Sequence, residues 1–215
     1  MKNDIIRIPL AKNPLVFMDV RPGHFTTGHV HMNYYLDVST MKANALVAKG
    51  IAHELAIPYS STTAVDTIIC MEDTKVIGAF LAEELSQHGT MIMNSDNDIH
   101  VITPKTISDG KLTFYDNEIE WVENKNILLL TATISSGQTL NSALECITYY
   151  KGIVTGISSL FLASDEISDD NINALFTADD VPGYKFGRPA GCELCKMKQP
   201  LDAYISSDGY KEYRG

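Results

Sequence analysis

With 215 residues, 45% of them hydrophobic, the chain can bury one substantial core, and a single domain is the expectation. Its 17 Lys and Arg against 27 Asp and Glu leave a net charge of -10, which argues against a surface that neutralises nucleic-acid phosphates. No apolar run is long enough to span a bilayer and the start MKNDIIRIPLAKNP lacks the pattern of a signal peptide, so a cytoplasmic protein without membrane or nucleic-acid partners is expected.

In chain order, Met41 to Ala56 reads as a helix, because Val47, Ile51 and Leu55 recur every four residues and Leu46 widens the stripe. Asp66 to Met71 reads as a buried strand, followed by a helix from Val76 to Gln87 with Ile77, Leu81 and Leu85 on one face and Gly89 as its stop. Ile99 to Thr103 is a further strand. Lys111 to Val122 reads as two strands around an Asp116-Asn117 turn. Ile127 to Leu130 is the clearest strand, and it leads through a small polar loop into a helix from Thr139 to Tyr150 with Leu140, Ala143, Leu144 and Ile147 as the buried stripe. Ile153 to Ala163 and Ile172 to Phe176 are later strands. This alternation predicts an α/β fold, a mostly parallel twisted sheet with helices on both faces. The region after Pro182 has too little periodicity to assign and is expected to be an appendage, from about 182 to 215.

The most informative segment is ILLLTATISSGQTLNSALE, from Ile127 to Glu145. An apolar strand breaks into Ser135-Ser136-Gly137-Gln138-Thr139 and a helix begins at once. Such a loop sits at the carboxyl end of a sheet, its glycine lets the backbone approach closely, and the free N–H groups of the helix start attract a phosphate. The alternative is a plain connection in which Ser136 or Thr139 caps the helix. No lysine follows Gly137, so this is not the loop of nucleoside triphosphatases, and no GxGxxG fingerprint follows any strand.

This segment resembles the phosphoribosyl diphosphate signature of type I phosphoribosyltransferases, in which the strand ends in two acidic residues before a Thr/Ser-Gly loop. GHFTTGHVHMNYYLD, from Gly23 to Asp37, resembles the substrate hood of orotate phosphoribosyltransferases, and CELCKMKQPL resembles the CPLC-containing tail of the Thermus-type orotate enzymes. The resemblance implies a hood over about 1–40 and a core over about 41–181. VDTIICMEDTKVIGAFLAEEL would be the strand, diphosphate loop and helix, and TPKTISDGKLTFYDNEIEW the catalytic loop. It further implies Ser135 to Thr139, with Thr131 before them, on the 5-phosphate. Glu72, Asp73 and Lys75 would face the diphosphate, Lys105 or Lys111 would be the catalytic cation, and Phe25, Tyr34 and Tyr35 would lie at the base. The ligands would be phosphoribosyl diphosphate and a nucleobase, most simply orotate, with Mg2+ and a homodimer.

The departures from that pattern all concern charge. Thr131 and Ala132 stand where the family has two carboxylates, Tyr115-Asp116 where it has paired arginines, and acidic Glu72-Asp73 where an anion cradle is expected. Two functions follow. Either Glu72 or Asp73 replaces the missing carboxylates and transfer proceeds, or the chain is a module that holds a nucleotide or sugar phosphate without transfer.

Cys192-x-x-Cys195 has the spacing of half a zinc site, and His24, His29 and His31 are candidates for the rest; the alternatives are an inert pair in a tight turn or a knuckle completed by another subunit. Cys70 and Cys146, on apolar elements, read as buried hydrophobes. The acidic run Asp165 to Asp170 reads as a solvated loop, and Trp121 as core or interface material.

Overall fold

A computed structural model describes residues 5–28, 30–87, 93–95, 97–107, 110–163, 172–206 and 209–213. Gly89, His29 and the acidic run from Asp165 to Asp170 lie outside the described residues.

The core is a five-stranded sheet in the order β10-β9-β8-β4-β5, made of β4 (Thr67–Cys70), β5 (His100–Ile102), β8 (Asn126–Ile134), β9 (Ile153–Leu162) and β10 (Ile172–Thr177). Every neighbouring pair is parallel. Side chains alternate between its faces. Ile68, Cys70, Leu128 and Leu130 pack under α2 (Ala45–Ala56) and α3 (Lys75–Leu85), whereas Ile69, Ile127 and Leu129 pack under α4 (Gln138–Tyr149). Helices thus cover both faces, which is why these strands read as continuous apolar runs. Burial pushes the thiol of Cys70 up to about 12 and that of Cys146 up to about 11, so both behave as apolar groups. No helix among the described residues is long and apolar enough to cross a membrane.

A second, mostly antiparallel sheet lies over one end. It contains β1 (Ile6–Leu10), β2 (Asn13–Thr26), β3 (His31–Asp37), β11 (Phe186–Gly187), β12 (Ala203–Ser206) and β13 (Gly209–Glu212), with the path β11-β3-β2-β12-β13 and β1 on β2. The segment after Pro182 is therefore part of the hood, not an appendage beside it. β12 runs parallel to β2, with Ala203 opposite Phe25, and Asn33 exchanges hydrogen bonds with Lys185.

Two local expectations are corrected. The stretch Met41 to Ala56 is two helices, α1 (Ser39–Ala43) and α2, because Asn44 leaves helical geometry and its Oδ1 accepts from the N–H groups of Leu46 and Val47. Leu46 is 74% exposed and does not widen the stripe. The expected hairpin around Asp116-Asn117 does not form either. β6 (Lys105–Thr106) pairs with β7 (Leu112–Thr113), and Asp116–Trp121 is a 3-10 helix. Glu118 decides this, since its carboxylate reaches back to the N–H of Tyr115, the reciprocal cap that starts helices.

Gly78 of α3 packs directly on β4, and a methyl there would meet the Cys70 sulfur and Val101. Gly78→Ala should gain about 1 kcal/mol of helix propensity and lose about 1–3 kcal/mol to overpacking, for a net loss near 1 kcal/mol in urea unfolding. Cys70→Ala in the same chain should recover most of that loss. A raised midpoint in the single variant would show that the helix can move away from the sheet.

Candidate functional site

In an open parallel sheet, ligands bind beyond the carboxyl ends of the strands where the strand order reverses. Here the chain passes from β4 outward to β5, then returns to β8 and continues to β9 and β10 on the other side. The reversal falls between β4 and β8. The loops that leave these two strands flank a cavity of about 730 Å³, whose remaining walls include Tyr35, Lys42 and Tyr204.

The loop after β8 supplies Ser135, Ser136, Gln138 and Thr139 to the cavity lining. Gly137 has φ 74°, a left-handed conformation that a side chain would strain, and it occupies the N-cap of α4. No side chain caps that helix, so neither Ser136 nor Thr139 plays the plain capping role. The first-turn N–H groups of α4 are left to water or to an anion.

The loop after β4 is built differently. Glu72 and Asp73 both have left-handed backbones, at φ 52° and 61°, which costs about 1 kcal/mol or more for each non-glycine residue. Surrounding bonds impose the turn: buried Thr74 donates its hydroxyl to the carbonyls of Met71 and Leu130, and Lys42 Nζ donates to the Glu72 carbonyl at 3.0 Å. The turn directs the Glu72 carboxylate onto the end of β8. Its Oε2 accepts from the Thr131 hydroxyl at 3.0 Å, from the Ala132 N–H at 3.1 Å and from the Thr133 N–H at 2.9 Å. A carboxylate therefore stands at the strand end where Thr131 and Ala132 provide none of their own.

The other expected site residues divide. Asp73 and Tyr35 line the cavity with Glu72. Burial, with the Asp37 charge adding to it, pushes the Tyr35 phenol up to about 12, and its ring meets Tyr210 edge-on at 4.9 Å. Phe25 is fully buried behind Tyr35, so it supports that ring and offers no face to a ligand. Tyr34 points the other way and donates its hydroxyl to the Pro182 carbonyl. Lys75, at the exposed start of α3, is not among the lining residues. Lys105 lies on the exposed strand β6, and Lys111 lines a separate cavity of about 540 Å³ beside Glu145 and Tyr149 of α4. The structure thus does not bring Lys75, Lys105 or Lys111 to the main cavity. Lys42 is the lysine that lines it, and it drew no attention in the sequence because it lies in a stretch read only as helix. Tyr204 to Ser206 were missed because β12 is recognisable only through its pairing with β2.

The cysteine pair does find partners. His24 and His31 come from adjacent strands of the hood, and Cys192 and Cys195 lie one turn apart at α5 (Glu193–Lys196). Their donor atoms all lie within 4.8 Å of one another. His29, the third candidate, lies outside the described residues.

No family model matches the chain, and no curated protein matches it. Among solved structures, UMP synthase of Leishmania donovani superposes with a TM-score of 0.55 at 17% identity, over 76% of this chain and 34% of that one. The chain spans about a third of that protein's length. Orotate phosphoribosyltransferase of Mycobacterium tuberculosis H37Rv gives a TM-score of 0.49 at 11% identity, over 83% of this chain and 89% of that one. Adenine phosphoribosyltransferase of Leishmania donovani gives 0.49 at 14% identity, over 83% and 89%. The chain has the α/β fold of the type I phosphoribosyltransferases.

Glu72→Ala removes the shared acceptor of the Ala132 and Thr133 N–H groups and should cost about 1–3 kcal/mol, with faster amide exchange at both positions. Glu72→Gln keeps a carbonyl acceptor and should cost less than about 1 kcal/mol. An alanine variant with unchanged stability and exchange would show that the carboxylate does not hold the end of β8.

Proposed function

We propose that the chain binds phosphoribosyl diphosphate in the cavity between β4 and β8 and transfers its phosphoribosyl group to a ring nitrogen of a nucleobase, with orotate the first candidate. The observation that carries this reading is the pairing of the uncapped Ser135–Thr139 loop with the Glu72 carboxylate at the neighbouring strand end.

In the transfer, the bond from C1 to the diphosphate oxygen breaks, the base nitrogen bonds to C1 and gives its proton to water, and diphosphate leaves. Ser135, Ser136, Gln138 and Thr139 would bind the 5-phosphate through their side chains and the open helix start. Glu72 and Asp73 offer hard carboxylate oxygens on the same cavity and fit Mg2+, which takes a few carboxylates together with ligand phosphate oxygens. The ion would neutralise charge growing on the leaving diphosphate. Lys42 would add the cation that the resemblance assigned to Lys105 or Lys111. Tyr35 and Tyr204 would flank the base. The positions of Lys75, Lys105 and Lys111 outside the cavity favour a second reading, in which a nucleotide binds without transfer.

Calorimetry with phosphoribosyl diphosphate and with orotidine monophosphate, each with and without Mg2+, tests the proposal together with a diphosphate-release assay. Magnesium-dependent binding and release in the presence of a nucleobase are expected, and Ser135→Ala or Thr139→Val should each weaken binding about tenfold. Binding that ignores Mg2+, without turnover, would establish the second reading. Light scattering on the same sample checks the homodimer implied by the family resemblance.

A further inference from the structure

We propose that His24, His31, Cys192 and Cys195 bind one zinc ion, and that this ion fastens the C-terminal chain to the hood so that β12 and β13 form a wall of the ligand cavity. The proposal stands apart from the phosphoribosyl chemistry, because none of the four residues lines the cavity that holds Glu72 and Ser135.

The distances come within about 0.2 Å of those of a tetrahedral site. With Zn–N near 2.0–2.1 Å and Zn–S near 2.3 Å, the edges of such a tetrahedron are about 3.3–3.8 Å. Cys192 Sγ lies 3.4 Å and Cys195 Sγ 3.6 Å from His24 Nε2, Cys195 Sγ lies 3.2 Å from His31 Nδ1, and the two imidazole nitrogens are 3.1 Å apart. All four donor atoms lie within 4.8 Å of one another, close enough to share one ion.

The surroundings orient the ligands. His24 is 1% exposed, and its Nδ1 lies 2.9 Å from the Gln199 carbonyl. That carbonyl can only accept, so the Nδ1 carries the proton and the Nε2 lone pair faces the cluster, an arrangement typical of metal-bound histidines. Thr26 is paired with His31 across β2 and β3, and the His24 ring meets the His31 ring edge-on with centroids 5.0 Å apart, which brings both rings to one side of the hood. On binding, the two thiols would lose their protons, and two thiolates with two neutral imidazoles would balance the charge of Zn2+.

The consequence for the cavity follows from the chain path. Asp202 Oδ2 accepts from the His24 N–H, the Asp202 N–H donates to the His24 carbonyl, and β12 begins at the next residue. Tyr204, Ile205 and Ser206 of that strand line the main cavity.

The test uses the full, tag-free chain. Metal analysis should find one zinc per chain, and zinc titration of chelated protein against a chromogenic competitor should give a dissociation constant below about 10 nM. Cobalt substitution should give thiolate-to-cobalt charge transfer and tetrahedral d–d bands. Either Cys195→Ser or His31→Ala, each checked for folding by circular dichroism, should weaken zinc binding at least about tenfold and change those bands. Hydrogen exchange should accelerate at 203–206 on chelation and stay unchanged in β4. A metal-free protein with a Cys192–Cys195 disulfide, or reduced protein with micromolar or weaker zinc affinity, would overturn the site. Unchanged exchange at 203–206 on chelation would overturn its role in the wall.

Discussion

Three hydrogen bonds onto one oxygen of Glu72 join the loop after β4 to the end of β8, and the form of the main cavity depends on that junction. The connections that leave these two paired parallel strands run to helices on opposite faces of the sheet, and the sheet hydrogen bonds do not fix the loops beyond the last paired residues. A left-handed pair, Glu72 and Asp73, turns the first loop back over the second strand. The backbone cost is met by the charge-assisted bonds at β8, by Lys42 on the Glu72 carbonyl and by the buried Thr74 hydroxyl. Each of these partners is short range, so the loop can be strained without disturbing the apolar sheet beneath it.

The core was legible in the sequence because its forces are local. Ile127 to Leu130 and Thr67 to Cys70 are buried on both faces, and such strands leave unbroken apolar runs. The helical stripes of α2, α3 and α4 were visible for the same reason. Where one polar side chain decided the backbone, hydropathy gave no warning: Asn44 cut a continuous stripe, and Glu118 turned an apparent hairpin into a 3-10 helix. The hood was legible only on its N-terminal side. β12 acquires its identity from β2, with Asp202 bonded to His24 across a separation of 178 residues, and pairing of that range leaves no periodic mark.

The candidate site was legible to the extent that it lay in one segment. Ser135 to Thr139 announce themselves as a strand, a polar break and a helix start. Glu72 was visible as an acidic residue in an unexpected place, but the direction of its carboxylate follows from two left-handed residues that no composition rule foretells. Phe25 and Tyr34 show the limit of carrying roles along a strand. Neighbours on β2 and β3 alternate faces, so in the pair Tyr34-Tyr35 only one ring could reach the cavity, and the pattern of aromatic residues did not say which. The histidines and cysteines are a further instance, for CxxC marks half a site while the other half comes from strands far away in the sequence.

Charge is distributed unevenly within the cavity, and this bears on what it can hold. Among the described residues its charged lining is Lys42, Glu72 and Asp73, so one ammonium stands there against two carboxylates, with both carboxylates on the β4 side. The β8 side presents hydroxyls and the positive end of α4. A ligand with a single phosphate is attracted to one side and repelled by the other, which orients it. A ligand with phosphates at both ends faces repulsion at Glu72 and Asp73 unless a divalent cation lies between. The same electrostatics therefore make a doubly phosphorylated sugar depend strongly on a bound cation and leave a nucleoside monophosphate nearly indifferent to it, so that the identity of the ligand and the need for metal are a single question at this site.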